Sequence, residues 1–170
     1  MKVLVGYATA CGSTRGIAER IGTRLAEAGS HADVRSMDEV KDADAYTAFV
    51  LGSAVHGQAW LPAAESFMRR NRALLGRHPV WIFSVGMPGA LRGPWKRIAD
   101  KEKPKIIRRL PRDIPYREHR LLSGVIEPSH LPFTGRVFFR LMGCRYGDFR
   151  DWSAIDAWAA EMARDLNKEE

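Results

Sequence analysis

Residues 3–14 read VLVGYATACGST, an apolar run that passes directly into a stretch of small and hydroxyl-bearing residues. Apolar residues then recur with helical spacing from about residue 14, and Gly29 ends that pattern. The predicted order is a strand, a loop and a helix N-terminus. The first backbone N–H groups of a helix lack partners within the helix and lie at the positive end of its dipole. The stretch is therefore typical of a phosphate-binding site.

The loop differs from the two common nucleotide-binding motifs. It lacks the Gly-Lys-Ser/Thr of a P-loop, and Gly12 and Gly16 do not have the spacing of GxGxxG. Hydroxyl groups without a lysine suit a single terminal phosphate better than a pyrophosphate or a triphosphate. A helix cap alone would explain one hydroxyl but not the whole cluster. The predicted phosphate-binding residues are Thr9, Ala10, Cys11, Gly12, Ser13 and Thr14.

Length and composition indicate one domain spanning residues 1–170, with an ordinary apolar fraction of 45%. Cys11 and Cys144 form neither a disulfide framework nor a zinc motif, so we expect a cytoplasmic compartment and no metal. No signal peptide is recognised, and no apolar run approaches the roughly 20 residues that span a bilayer. The net charge of +7 favours anionic partners such as a membrane surface, a nucleic acid or an acidic substrate.

Strands and helices alternate along the chain, which predicts an α/β fold with a doubly wound parallel sheet. Five strands are predicted at residues 2–8, 32–35, 47–53, 79–85 and 121–126. Pro62 begins a helix that continues through Leu74 and Leu75, and Asp151 or Ser153 caps the last one. The inward faces of the first and last helices are predicted to carry Ile17, Ala18, Ile21, Leu25 and Ala28, and Ile155, Trp158, Ala159, Met162 and Leu166.

Ligands of such sheets bind at the carboxyl ends of the strands, so the loops after the first, third and fourth strands are the candidate site. All three loops are rich in small residues, which let backbone amides approach a flat ligand closely. Trp60 either stacks on this ligand or is a core or surface aromatic residue. Beyond the phosphate loop, the candidate residues are Ser53, Ala54, Val55, His56, Gly57, Gln58, Trp60, Ser84, Val85, Gly86, Met87 and Gly89.

Taken together, the strand–loop–helix start and the two small-residue loops resemble the flavodoxins over nearly the whole chain. The resemblance implies a flavodoxin-like sheet of five parallel strands in the order 2-1-3-4-5, with FMN as the cofactor. In that family the first loop holds the FMN phosphate, and the loops after the third and fourth strands clasp the flavin ring. The motif GDFRDW at 147–152 is similar to the branch that contains the menaquinone-dependent protoporphyrinogen dehydrogenases.

Two positions depart from the flavodoxin pattern. Cys11 replaces a usual threonine, so either it supplies only its backbone N–H or its thiol is redox-reactive. The aromatic residue that usually covers the outer flavin face is missing at residues 87–89, so either Trp95 replaces it or that face stays open. The resemblance also implies that the peptide between His56 and Gly57 lies near flavin N5. No catalytic side chain is assigned.

This resemblance implies an FMN-dependent oxidoreductase with a porphyrinogen donor and a quinone acceptor. The alternatives are an electron carrier or regulatory flavoprotein without its own substrate, and an NAD(P)H-quinone reductase. Basic residues dominate residues 92–120, and a helix over residues 134–142 carries Arg136 and Arg140 on one face. That helix either lies at the inner surface of the cell membrane or packs on the sheet. Nucleic-acid binding is not expected, because no recognition motif accompanies the charge.

Overall fold

The computed structural model describes residues 1–86, 110, 114–130, 133–141 and 144–168. Its strands are β1 (Lys2–Ala8), β2 (His31–Ser36), β3 (Ala48–His56), β4 (Ala59–Trp60), β5 (Val80–Gly86), β6 (Tyr116–Ser123), β7 (Val125–Ile126) and β8 (Gly147–Asp148). Its helices are α1 (Ser13–Glu27), α2 (Pro62–Arg70), α3 (Arg72–Leu75), α4 (Phe133–Leu141) and α5 (Trp152–Asn167). A 3₁₀ turn spans Pro128–His130.

Five long strands form a parallel sheet in the order β2-β1-β3-β5-β6, and the two-residue β4 pairs antiparallel with β3. Counting only the long strands, this order is the predicted 2-1-3-4-5, so the flavodoxin-like, doubly wound fold is confirmed. A separate two-stranded ribbon joins β7 to β8. β4 escaped prediction because its two residues are too few to establish an alternating pattern.

The central strands are apolar on both faces, because successive side chains of a strand point to opposite sides of the sheet. In β1, Leu4 packs with α2 and α3 on one face, whereas Val3 and Val5 pack with α1 and α5 on the other. The same alternation runs along β3 and β5. Helices on both faces complete the core and leave the ends of the strands open.

At the middle of the sheet a glycine makes room for an aromatic ring. Gly52 of β3 is the direct partner of Phe83 in β5. A Cβ built at residue 52 would come within 2.0 Å of that ring, which is far below van der Waals contact. The ring of Phe83 also meets Trp158 of α5 edge-on, with 6.1 Å between the ring centroids.

Several predicted boundaries are corrected by contacts distant in sequence. The fifth long strand begins at Tyr116 and ends at Ser123, because Gly124 turns the chain out of the sheet: its N–H donates to Gly86 O and its carbonyl accepts from Phe149 N. Ala28 is exposed because α1 ends one residue before it.

The structure also decides which residue caps α5, and it shows that the predicted helix from Pro62 to Leu75 is two helices. Asp151, rather than Ser153, caps α5 by accepting from the N–H of Ala154 at 2.9 Å. Leu74 and Leu75 lie in the separate short helix α3, since α2 ends at Arg70.

An ion-pair cluster joins the two helices that cover one face of the sheet. Asp156 of α5 accepts from Arg20 and Arg24 of α1, with N–O distances of 2.7 Å to each. These arginines hold the pKa of Asp156 well below its usual value. Because the folded state favours the ionised carboxylate, the cluster stabilises the fold above the pKa of the unfolded chain and loses this effect as pH falls towards the folded pKa.

We therefore expect Asp156→Asn to lower the free energy of unfolding at neutral pH. The difference from wild type should shrink below about pH 4, because the Asp156 carboxylate then becomes protonated in the unfolded wild-type chain while the folded protein still holds it ionised. Urea unfolding at several pH values measures it. Asp165→Asn is the control, because the ion pair of Asp165 with the exposed Lys168 stays within its own helix end and joins no second helix. A difference that does not change with pH would contradict the assignment.

Candidate functional site

The predicted phosphate loop joins β1 to α1 at the carboxyl edge of the sheet. Gly12 precedes the helix in the left-handed region, with φ of +85°, a conformation that favours glycine. Its N–H donates to Thr9 Oγ1 at 2.9 Å, so the loop is closed by one of its own hydroxyls. The hydroxyl hydrogen of Thr9 is not used in that bond and remains available to a ligand.

The backbone donors of the first helical turn face this loop. The first helical bond runs from Gly16 N to Gly12 O, so the N–H groups of Ser13, Thr14 and Arg15 precede it. No side chain caps the helix, and its first turn contains no acidic residue. The turn therefore combines N–H donors that have no acceptor within the helix with the positive end of the helix dipole, which suits an anion.

Thr14 supplies the clearest sign of a ligand. The residue is fully buried, yet its Oγ1 makes no hydrogen bond with any residue that the structure describes. Leaving a buried hydroxyl unpaired costs about 1–3 kcal/mol, so such groups are rare without a partner. A phosphate oxygen at the helix N-terminus would be that partner, and the loop thus fits the phosphate of FMN.

Ser13 has a second role that the sequence did not reveal. Its hydroxyl accepts from Val125 N at 3.0 Å and lies 3.5 Å from Val125 O, so it links the start of α1 to β7. Its backbone N–H remains in the first turn, while its side chain braces the loop. Ala10 and Cys11 are exposed at the rim of the same loop.

The predicted second loop is a tight hairpin rather than an extended segment. Gly57 and Gln58 have φ of +57° and +64°, and the flanking His56 and Ala59 are paired across β3 and β4. Positive φ at both central residues is typical of a type I′ turn. His56 and Gly57 are exposed, while Ala54 and Val55 are partly buried along β3. Because β1 and β3 are parallel neighbours, this turn and the phosphate loop lie at the same edge of the sheet.

Trp60 belongs to the core, so its interpretation as a stacking residue is corrected. It is 3% exposed, and its indole N–H donates to Ser84 Oγ at 2.7 Å. Ser84 Oγ also lies 2.8 Å from Nε2 of the buried His119 on β6. The three hydrogen-bonded side chains lie in the core behind the edge of the sheet. Trp60 and Ser84 therefore contact each other there rather than a ligand.

Some of the remaining candidate residues are buried in the core, and others lie at the edge of the sheet. Ser53 is fully buried and accepts from Leu61 N at 3.0 Å, which fixes the start of α2. Val85 is buried and Gly86 partly exposed at the end of β5. Met87, Gly89 and Trp95 lie outside the described residues.

Arg150, which lies against Gly16 of α1, was missed by the sequence analysis. Arg150 stacks on Trp152, with 4.5 Å from its guanidinium carbon to the ring centroid, and its Nε donates to Asp148 at 2.9 Å. The hydrogen bonds between these two side chains lower the pKa of Asp148 and raise the pKa of Arg150. The motif at 147–152 was noted only for its resemblance, because nothing local in it indicates proximity to α1.

If the Thr14 hydroxyl binds phosphate, Thr14→Val should weaken FMN binding without lowering the free energy of unfolding of the apoprotein. Losing one hydrogen bond to a charged oxygen costs about 1.5–3 kcal/mol, or roughly tenfold to a hundredfold in affinity. Valine keeps the shape and removes the unpaired hydroxyl, so we expect apoprotein stability equal to or above that of wild type. Fluorescence titration and urea unfolding measure the two quantities. A loss of stability with unchanged FMN affinity would instead assign Thr14 a structural role.

Comparison with known proteins agrees with this geometry. A family model described as a flavodoxin domain matches residues 4–147. The structure is similar to a flavodoxin from the domain Archaea, with a TM-score of 0.57, 17% identity and coverage of 98% of this chain and 99% of that one. It is also similar to oxidised flavodoxin 1 from Bacillus cereus, with a TM-score of 0.59, 15% identity and coverage of 96% and 98%.

The curated relatives include an enzyme that aligns with this chain over nearly its whole length. Protoporphyrinogen IX dehydrogenase [quinone] from Escherichia coli K12 is 23% identical over 181 aligned residues, which cover 99% of this chain and 98% of the relative. The structural neighbours establish the fold, and the family model establishes membership. The chain belongs to the flavodoxin domain family, and FMN is its cofactor.

Proposed function

We propose that this chain is an FMN-dependent oxidoreductase that takes electrons from protoporphyrinogen IX and passes them to a quinone. The observation that carries the proposal is the end-to-end match to the protoporphyrinogen IX dehydrogenase of E. coli, at 23% identity. That match leaves no large segment of either chain unaligned.

The charge of the chain supports a substrate-binding enzyme over an electron carrier. Carriers of the flavodoxin fold are typically acidic, because they dock on basic reductases, whereas this chain has a net charge of +7. A porphyrinogen bears propionate groups, which a basic surface attracts. Anionic membranes, in which quinones dissolve, are attracted by the same charge.

The residues of the site bind and orient the cofactor. Bound FMN supplies the redox chemistry, and the protein determines its position and surroundings. The Thr14 hydroxyl and the first-turn N–H groups would hold the phosphate, and Thr9 would hold the loop in shape. Trp60, Ser84 and His119 are buried and hydrogen-bonded to one another behind this edge, so they would support the site from the interior of the protein. The type I′ turn at Gly57 presents exposed backbone groups beside the phosphate loop, where the family resemblance expects flavin N5.

An anaerobic assay with protoporphyrinogen IX and a menaquinone analogue tests the proposal. We expect porphyrin formation that requires both FMN and quinone. In Thr14→Val, the rate of porphyrin formation should fall in proportion to the FMN that the variant has lost. Porphyrin formation no faster than the uncatalysed reaction would contradict it. In that case, flavin reduction by NAD(P)H alone would favour a quinone reductase, and reduction only through a partner reductase would favour a carrier.

An exposed apolar stripe on α4 supports a second proposal, that the protein binds an anionic membrane surface. Phe133, Val137 and Leu141 recur every four residues and are 78%, 46% and 80% exposed. On another side of the helix, Phe139 is buried near Cys144 and Ile126. Exposed Arg136 lies beside the stripe, an arrangement typical of helices that lie in a membrane interface. None of the described helices is long and apolar enough to cross a bilayer.

Charge reversal on α4 should therefore weaken binding to anionic vesicles and leave FMN in place. We expect Arg136→Glu with Arg140→Glu to reduce sedimentation with vesicles rich in anionic lipid, since each basic residue near such a surface contributes about 1 kcal/mol. Arg69→Glu with Arg70→Glu is the matched control, because it reverses two exposed charges on α2. Equal effects of the two double variants, or none, would contradict the assignment to α4.

A further inference from the structure

We propose that Arg150 is a direct ligand of the FMN phosphate, which gives this loop a cationic side chain in addition to its hydroxyls and amides. The inference rests on the assignment of FMN to the loop between β1 and α1. It concerns a phosphate monoester, the only strongly anionic group of that cofactor. Two independent features of the structure, the contact of Arg150 with α1 and the buried Thr14 hydroxyl that has no partner among the described residues, carry it.

The contact places the guanidinium against the first turn of α1. A Cβ built at Gly16 would lie 2.8 Å from Arg150 Nη1, so the guanidinium occupies the space that a side chain would take. Cα–Cβ bonds of a helix tilt towards its N-terminus. That space therefore lies on the side of Gly16 that faces Ser13 and Gly12, in the turn whose N–H groups precede the first helical bond.

Three interactions hold Arg150 in this position and leave one nitrogen unused. Its Nε and Nη2 donate to the carboxylate of Asp148, its N–H donates to the same carboxylate at 3.0 Å, and its guanidinium stacks on Trp152. Nη1 donates to no residue that the structure describes. A guanidinium fixed on one side by a carboxylate and an aromatic ring presents its remaining N–H groups in a defined direction, which is suited to a phosphate oxygen.

The charge at this turn favours an anion. The N-terminus of a helix repels cations, yet α1 has Arg150 against its first turn and no acidic residue within it. Asp148 offsets only part of this charge, because it lies on the opposite side of the guanidinium from Nη1. The unpaired, fully buried hydroxyl of Thr14 belongs to the same turn. A phosphate bound there would satisfy the hydroxyl, the amides and Nη1 together.

Titration of the apoprotein with FMN and with riboflavin, which lacks the phosphate, tests the proposal. We expect Arg150→Gln to weaken FMN binding roughly tenfold or more, to leave riboflavin binding unchanged and to reduce the dependence of FMN affinity on ionic strength. Arg145→Gln, an exposed arginine of the same segment, is the control for net charge and should bind FMN as wild type does. Equal losses for FMN and riboflavin, or no loss for FMN, would overturn the proposal.

A second variant moves the guanidinium without removing its charge. Gly16→Ala places a methyl group 2.8 Å from the position of Nη1, too close for both to stay, so the guanidinium has to shift, and alanine favours the helix. We expect weaker FMN binding, unchanged riboflavin binding and an apoprotein melting temperature at or above that of wild type. FMN affinity equal to wild type in Gly16→Ala would overturn the contact. If the wild type itself bound riboflavin as tightly as FMN, the assignment of the loop to the FMN phosphate would fail instead.

Discussion

The strands β1, β3 and β5 have to be covered on both faces, because nearly every side chain along them is apolar. Helices that connect one strand to the next provide this cover, and such crossover connections make the strands parallel. Parallel strands end at a common edge. The phosphate loop after β1 and the tight turn after β3 are brought together by this constraint, and the cofactor site follows from it.

Hydroxyl groups at this edge serve three purposes that look alike in the sequence. Thr9 closes its own loop, Thr14 is buried without a partner among the described residues, and Ser13, Ser53 and Ser84 form hydrogen bonds with backbone or side chains from other elements. Of these hydroxyls, that of Thr14 indicates ligand binding most directly. The hydrogen bonds of Ser13 and Ser53 tie the starts of α1 and α2 to other elements of the fold.

The order and direction of the strands could be predicted because apolar periodicity and turn residues are local signals. The phosphate loop could be predicted for the same reason, since its donors are consecutive in the chain. Trp60 and Arg150 could not be assigned, because their roles depend on partners 24 residues away at Ser84 and far back along the chain at Gly16. A small-residue segment such as 54–60 also does not indicate whether it forms a loop or a hairpin until the φ values of Gly57 and Gln58 are known.

The glycine opposite Phe83 has a consequence for how the sheet assembles. A shift of β5 by one residue along β3 would bring Phe83 opposite Leu51 or Ser53, both of which carry side chains, and would turn its ring to the other face of the sheet. Gly52 and Phe83 therefore favour the observed register of the two central strands over these shifted ones. The alignment of β3 with its neighbours determines where β3 ends. The lack of a side chain at Gly52 in the core thereby influences how far the turn at Gly57 extends beside the phosphate loop.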